Sequence, residues 1–96
     1  MALATPYAVQ VSGDDSTLVA VAAGSDKLFT VDVENGKVLG RAPVGAVPRG
    51  IALENTEDGK ASRAWVYNAV ANTVSLIDLT DTSHPKIAGF VKLEDP

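Results

Sequence analysis

This chain repeats itself, and that constrains its fold more than any other feature of the sequence. Lys27-Leu28-Phe29-Thr30-Val31-Asp32-Val33 recurs as Thr73-Val74-Ser75-Leu76-Ile77-Asp78-Leu79, 46 positions later. Just upstream, Leu18-Val19-Ala20-Val21-Ala22-Ala23 recurs as Ala64-Trp65-Val66-Tyr67-Asn68-Ala69 at the same offset. Before that, Pro6-Tyr7-Ala8-Val9-Gln10-Val11 matches Pro48-Arg49-Gly50-Ile51-Ala52-Leu53 at an offset of 42. The four extra residues of the second unit fall within residues 54–63, a polar stretch that reads as a loop, because insertions belong between elements. Pro96 stands where Pro6 and Pro48 stand, as if a third unit were beginning.

Each unit reads as short strands. Residues 18–23 and 64–69 are apolar runs of strand length. Residues 28–33 and 73–79 alternate only loosely and are rich in β-branched side chains. Turn residues separate the runs: Gly13-Asp14-Asp15-Ser16, Gly24-Ser25-Asp26, Glu34-Asn35-Gly36-Lys37, Asp58-Gly59-Lys60 and Thr82-Ser83-His84-Pro85. Asn35-Gly36 predicts a two-residue type I′ hairpin, which needs positive φ at both positions. No stretch of ten or more residues carries a clean helical period. The spacing therefore predicts strands near 6–11, 17–23, 27–33 and 37–44, then near 48–53, 64–69, 73–79 and 86–92.

Four strands per unit of 42–46 residues is the spacing of a propeller blade. The fold class read from the sequence is all-β: a β-propeller fragment of two four-stranded antiparallel blades. Residues 1–96 form one fragment, with blade one about 6–47 and blade two about 48–95. Strands apolar on both faces must be covered on both faces. Two blades cover only the faces between them, so self-association through the exposed blade faces is expected.

The charge pattern narrows the partners. Net charge is −4, with three basic and five acidic side chains in residues 1–47 and five and seven in residues 48–96. Phosphate backbones are bound by clustered Lys and Arg, so no nucleic-acid partner is expected. No apolar run approaches the roughly 18 residues of a membrane span, so no membrane insertion is expected. The chain has no Cys, hence no disulfide, no thiolate metal site and no covalent haem attachment of its own.

The residues then resemble a known family. Pro48-x-Gly50-Ile51-Ala52-Leu53, Asp58-Gly59-Lys60, Trp65-Val66-Tyr67-Asn68-Ala69 and Asn72-Thr73-Val74-Ser75-Leu76-Ile77-Asp78-Leu79 are similar to a YVTN-type propeller repeat. Val44-Gly45-Ala46-Val47-Pro48 resembles the link between that family's units. Val66-Tyr67-Asn68-Ala69 stands in for the signature tetrapeptide, and Tyr7-Ala8 replaces Arg49-Gly50 in the first unit. Trp65 is followed by Val66 rather than Asp, which separates the chain from true WD40 repeats. The resemblance implies a periplasmic or extracellular parent with further blades. Some members of the family are attached to haem-containing electron-transfer domains.

Individual side chains carry weaker signals. Asp32 and Asp78, at equivalent strand ends, read as acceptors for the amides of the following turn. His84, the single histidine, lies in a turn without a nucleophile selected by sequence. Asp14-Asp15 and Glu54-x-x-Glu57-Asp58 lack the alternate-position spacing of a calcium loop. Trp65 and Tyr67 share one strand face and are expected in the packing between blades. Arg49 follows the repeat proline and is read as the ligand- or partner-facing residue, with planar donors suited to an anion.

The reading is a non-catalytic propeller scaffold that binds a protein or small-molecule ligand at its mouth. It is not an enzyme by itself, and no catalytic, metal or cofactor residue is assigned. One alternative is a part of an enzyme or electron-transfer protein whose catalytic or haem domain lies outside this chain. Another is a structural cell-surface repeat.

Overall fold

In a computed structural model, residues 6–22 and 24–94 are described. Pro96, the start of a third unit in the sequence reading, lies outside them. The described residues form eight strands: β1 (Pro6–Val11), β2 (Thr17–Ala22), β3 (Lys27–Asp32), β4 (Lys37–Pro43), β5 (Pro48–Asn55), β6 (Ala61–Asn68), β7 (Thr73–Asp78) and β8 (Lys86–Lys92). They make two four-stranded antiparallel sheets, β1-β2-β3-β4 and β5-β6-β7-β8. The fold is all-β in the two-blade arrangement that the sequence spacing predicts.

The repeat is structural down to its irregularities. Val9 pairs with Ala20 as Ile51 pairs with Val66, and Val11 with Leu18 as Leu53 with Ala64. A bulge between Pro6 and Ala8 recurs between Pro48 and Gly50. Another, between Thr30 and Val31, recurs between Leu76 and Ile77. In the fourth strand Gly40 opposes Thr30 as Gly89 opposes Leu76. Bulges bend and twist a strand, so their recurrence gives both sheets the same curvature.

Two local expectations are corrected. Residues 54–63 are not a loop: β5 runs on to Asn55 and β6 begins at Ala61, with Glu54 opposite Arg63. The inserted residues lengthen the hairpin, and a short turn closes it through Thr56 N to Lys60 O (2.8 Å) and Gly59 N to Thr56 O (2.9 Å). Alternating polar residues satisfy a solvent-facing ladder as well as a loop, so polarity alone could not separate the two. The β3–β4 connection is not a two-residue type I′ turn. Gly36 has positive φ (69°) but Asn35 does not, and Gly36 N donates to Asp32 O (2.8 Å) across a four-residue turn.

The core lies between the sheets. One face of the first sheet, its front, presents Val19, Val21, Leu28 and Ala42. They pack with Ala64, Val66 and Ile77 from the facing side, the back, of the second sheet, together with Ala61 and Leu79. Fully burying one such Val, Leu or Ile side chain contributes about 1.5–3 kcal/mol. β2 and β3 are the most buried strands of their unit because they sit in mid-sheet, paired along both edges.

Polar groups close the ends of the seam. The β7–β8 loop lies on the front of the first sheet, where buried Thr30 donates its hydroxyl to Thr82 O (2.6 Å). The loop approaches so closely because Gly40 has no side chain: a Cβ there would meet Ser83 O at 2.5 Å and Pro85 Cδ at 2.7 Å. At the far end of the same strands Val47 N donates to Asp26 Oδ1 (3.0 Å), and Ala69 N to Val47 O (2.9 Å). The hairpin tips also touch, through Asp14 N to Gly59 O (2.9 Å) and Gly13 N to Asn55 Oδ1 (3.2 Å).

Gly40 and Gly89 have the same register position and opposite surroundings, since a Cβ at Gly89 meets nothing within 4 Å. Gly40→Val is therefore expected to destabilise the chain by about 1–3 kcal/mol through overpacking, and Gly89→Val to leave it unchanged or slightly more stable. Urea unfolding of both variants checks this. Equal losses would mean that the loop does not rest on Gly40.

Candidate functional site

Two places on the molecule combine polar side chains with an opening. They lie at opposite ends of the strands. The first is a half-open cleft of about 400 Å³ at the end where β1 turns into β2, β5 into β6 and β7 into β8. Asp14, Ser16, Thr17, Lys60, Thr80, Asp81 and Thr82 line it. The second is the start of β5, where Arg49 lies exposed beside the link from the first sheet.

The carboxylates of the cleft are committed to the turns that carry them. Asp14 Oδ1 accepts from Ser12 Oγ (2.6 Å), Ser16 Oγ (2.7 Å) and Ser16 N (3.0 Å). The Ser12 hydroxyl leads these bonds in holding the Asp14 carboxyl at about 2, against an ordinary 3.8. Asp81 accepts from Ser83 N (3.0 Å) and contacts His84 Nδ1 (3.0 Å). The His84 contact first, then the Ser83 amide, lowers the Asp81 pKa. Each is an Asx-type closure that fixes a turn.

Asp32 and Asp78 play the role the sequence suggests for them. Asp32 Oδ1 accepts the Glu34 amide (3.2 Å) and Oδ2 the Asn35 side-chain amide (2.6 Å). Asp78 Oδ1 accepts the Thr80 amide (2.8 Å) and the Thr80 hydroxyl, and these bonds lower its pKa ahead of the charges of Lys86 and Arg63. A carboxylate at this position closes the turn after the third strand in both units. No ring of ligand-binding groups is needed to explain the repetition.

His84 and Asp81 form a solvent-exposed pair, 74% and 66% accessible. An acyl-transfer site needs a nucleophile on the other ring nitrogen and a dry surround. Among the described residues no serine or threonine hydroxyl is bonded to His84 Nε2. No group of three or more His, Asp or Glu among them could hold a metal ion. Glu54 of the other acidic stretch pairs with Arg63 (2.6 Å) across the hairpin.

Arg49 is placed by a feature that the sequence signals only indirectly. Pro48 pairs with Asn68 and Gly50 with Tyr67, so Arg49 is the extra residue of the bulge. Tyr7 holds that position in the first unit. Bulges re-aim side chains and are common beside binding sites. The residue two before Arg49 is Val47, whose φ of 55° is left-handed and costly for a β-branched side chain. Pro48 between them is fully buried. Arg49 thus leaves the sheet from a rigid, strained corner, about the length of a strand from the cleft. The structure does not bring it together with Asp32, Asp78 or His84.

Trp65 and Tyr67 face away from the seam, which is filled instead by Ala64, Val66 and Asn68 of the same strand. Trp65 is half-buried under the Arg63 guanidinium, 5.9 Å from its ring, and Tyr67 is exposed. The pair therefore does not pack between the two sheets of this chain. Among the described residues no helix is long and apolar enough to cross a membrane.

Comparison with known proteins adds one likeness. Among solved structures, the chain is similar to a chain of Kuenenia stuttgartiensis hydrazine synthase, with 27% identity and a TM-score of 0.79. The match covers 99% of this chain and 25% of that one, so the chain spans about a quarter of the hydrazine synthase chain. No family model matches the chain, and no curated protein matches it.

The turn at Asp14 supplies a pH test. Its folded-state pKa lies below the ordinary value, so the carboxylate supports the turn above pH 3.8 and withdraws that support as pH falls toward about 2. A carbon-detected titration of the Asp14 carboxyl is expected to give a midpoint near 2. A midpoint in the ordinary carboxylate range would mean that the Ser12–Asp14–Ser16 closure is not formed in solution.

Proposed function

We propose that this chain is a pair of YVTN-type propeller blades belonging to a larger enzyme or electron-transfer protein, and that the catalytic or haem domain of that protein lies outside these residues. The observation that carries the reading is the match of nearly the whole chain to a quarter of a hydrazine synthase chain. The repeat pattern and the two recurrent sheets support the propeller assignment. In this reading the two blades themselves are non-catalytic: their carboxylates close turns, and their apolar surface packs against neighbouring blades. The parent works outside the cytoplasm, as the family resemblance implies.

Within that scaffold Arg49 is the residue assigned to face a ligand or partner. Its support is the strained corner at Val47 and the bulge that carries it, because proteins retain such strain where a side chain must be aimed. A planar guanidinium there suits a carboxylate or phosphate group.

The parent can be tested directly. An antibody against the 56–60 hairpin tip, used on extract of the source cells, is expected to detect a polypeptide several times longer than 96 residues. Haem absorbance or synthase activity should travel with it through purification. A free polypeptide of this length alone would overturn the reading. For Arg49, Arg49→Ala in the full-length protein is expected to weaken phosphate binding, followed by calorimetry, about tenfold or more, the equivalent of losing one charge-assisted hydrogen bond. Unchanged affinity would remove Arg49 from the site.

A further inference from the structure

The β3–β4 turn carries a pair of residues that can react with each other. Asn35 is followed by Gly36, whereas Asn55, Asn68 and Asn72 are followed by Thr56, Ala69 and Thr73. In an Asn-Gly pair the glycine nitrogen attacks the asparagine side-chain carbonyl carbon. Here the bond from Gly36 N to Asn35 Cγ would form, the Cγ–Nδ2 bond would break, and ammonia would leave carrying the amide proton. Water then opens the succinimide ring at either carbonyl, giving aspartate or isoaspartate. No electrons are exchanged, and water is the single co-reactant. Glycine favours the attack because no Cβ crowds its nitrogen and its backbone turns freely. Both residues are exposed, so water reaches them.

The folded turn ties up both reacting nitrogens, and one residue does it. Gly36 N, the nucleophile, donates to Asp32 O (2.8 Å). Asn35 Nδ2, the leaving group, donates to Asp32 Oδ2 (2.6 Å). Asp32 Oδ1 accepts the Glu34 amide between them (3.2 Å). The nucleophile must give up its proton to attack, and that proton is held by Asp32 O. The Asn35 side chain is drawn back toward the end of β3, whereas ring closure needs it over Gly36 N. A charge-assisted bond from Nδ2 to a carboxylate also pushes electron density into the amide and makes Cγ less electrophilic. The carboxylate's charge further opposes the oxyanion that attack creates, the reverse of an oxyanion hole.

The second unit shows that closing the turn does not require this arrangement. Asp78 occupies the position of Asp32, accepts from the Thr80 amide and hydroxyl, and is followed by no Asn-Gly pair. Asp32 therefore has a partner that its counterpart lacks. Reaction at Asn35 would also be hard to reverse. Isoaspartate routes the main chain through the side-chain carbon and lengthens it, which moves Gly36 N off Asp32 O. Either product sets a new carboxylate beside Asp32 and Glu34, where like charges repel.

We propose that Asn35-Gly36 is a latent modification site, a succinimide-forming pair that Asp32 holds inert in the folded blade and that reacts only when the β3–β4 turn opens. Its rate in the folded chain is then the rate of the open turn multiplied by the fraction of time the turn is open. The inference rests on the three bonds to Asp32 and holds whatever larger protein the chain belongs to.

Peptide mapping by mass spectrometry, with isoaspartate peptides separated by chromatography, follows position 35 of the full chain in mildly alkaline buffer. In the folded chain conversion is expected to be at least about tenfold slower than in the same chain unfolded by guanidinium. Asp32→Ala, its fold checked by circular dichroism, is expected to close most of that gap. Asp78→Ala, which loosens the equivalent turn of the second unit, is expected to leave the Asn35 rate unchanged. Should Asp32→Ala fail to fold, Asp32→Asn keeps the shape, removes the charge, and is expected to speed conversion in the same direction. Conversion as fast in the folded chain as in the unfolded one would overturn the proposal. So would an Asp32 variant no faster than the unmodified chain. Equal acceleration by Asp78→Ala would overturn it too, since Asn35 would then react through opening of the whole chain.

Discussion

Everything in this structure depends on the packing of one sheet's front on the next sheet's back. Val19, Val21 and Leu28 meet Ala64, Val66 and Ile77 there, and these side chains reach essentially no water. Backbone hydrogen bonds hold each sheet together but contribute little net stability over bonds to water. An isolated four-stranded meander with two apolar faces would leave both wet. The seam removes one face of each sheet from solvent, and that is the source of cohesion between the halves. The hydrogen bonds at its ends add direction: Thr30 to Thr82 at one end, Asp26 to Val47 at the other. They fix how far one sheet is turned relative to the next.

The same constraint explains where strain and bare backbone occur. Gly40 has no side chain because the β7–β8 loop must reach the first sheet. Val47 holds a left-handed conformation because the link between sheets must reverse direction within residues 44–47. A glycine would relieve the strain at Val47, but the link is clamped from both sides, by Asp26 and by the Ala69 amide. Asn68 carries a further cost, since its Oδ1 is buried without a hydrogen-bond partner while its amide group donates to Thr73 and Ser75. The departures at Val47 and Asn68 lie at the end of the strands where Arg49 leaves the sheet.

The functional reading follows from what the polar groups are already doing. Asp14, from an acidic pair that lacks calcium-loop spacing, bonds to its own turn, as do Asp32, Asp78 and Asp81. The likeness to a quarter of a hydrazine synthase chain extends over nearly the whole of this chain.

The repeat, the eight strands, their grouping into two four-stranded antiparallel sheets and the acceptor role of Asp32 and Asp78 are legible along the chain. All of these are local or periodic: apolar runs, turn residues and a constant offset set them without reference to distant contacts. The remaining features come from the way the two sheets pack. The 54–63 stretch pairs as a hairpin extension because a solvent-facing ladder and a loop share one composition. Trp65 and Tyr67 turn away from the seam because alternation says which residues share a face and is silent on which face meets the neighbouring sheet. The bulge that isolates Arg49, the left-handed Val47 and the opposite fates of Gly40 and Gly89 came from the same source. Each depends on how two sheets meet in space, and a pattern along one chain cannot encode that meeting.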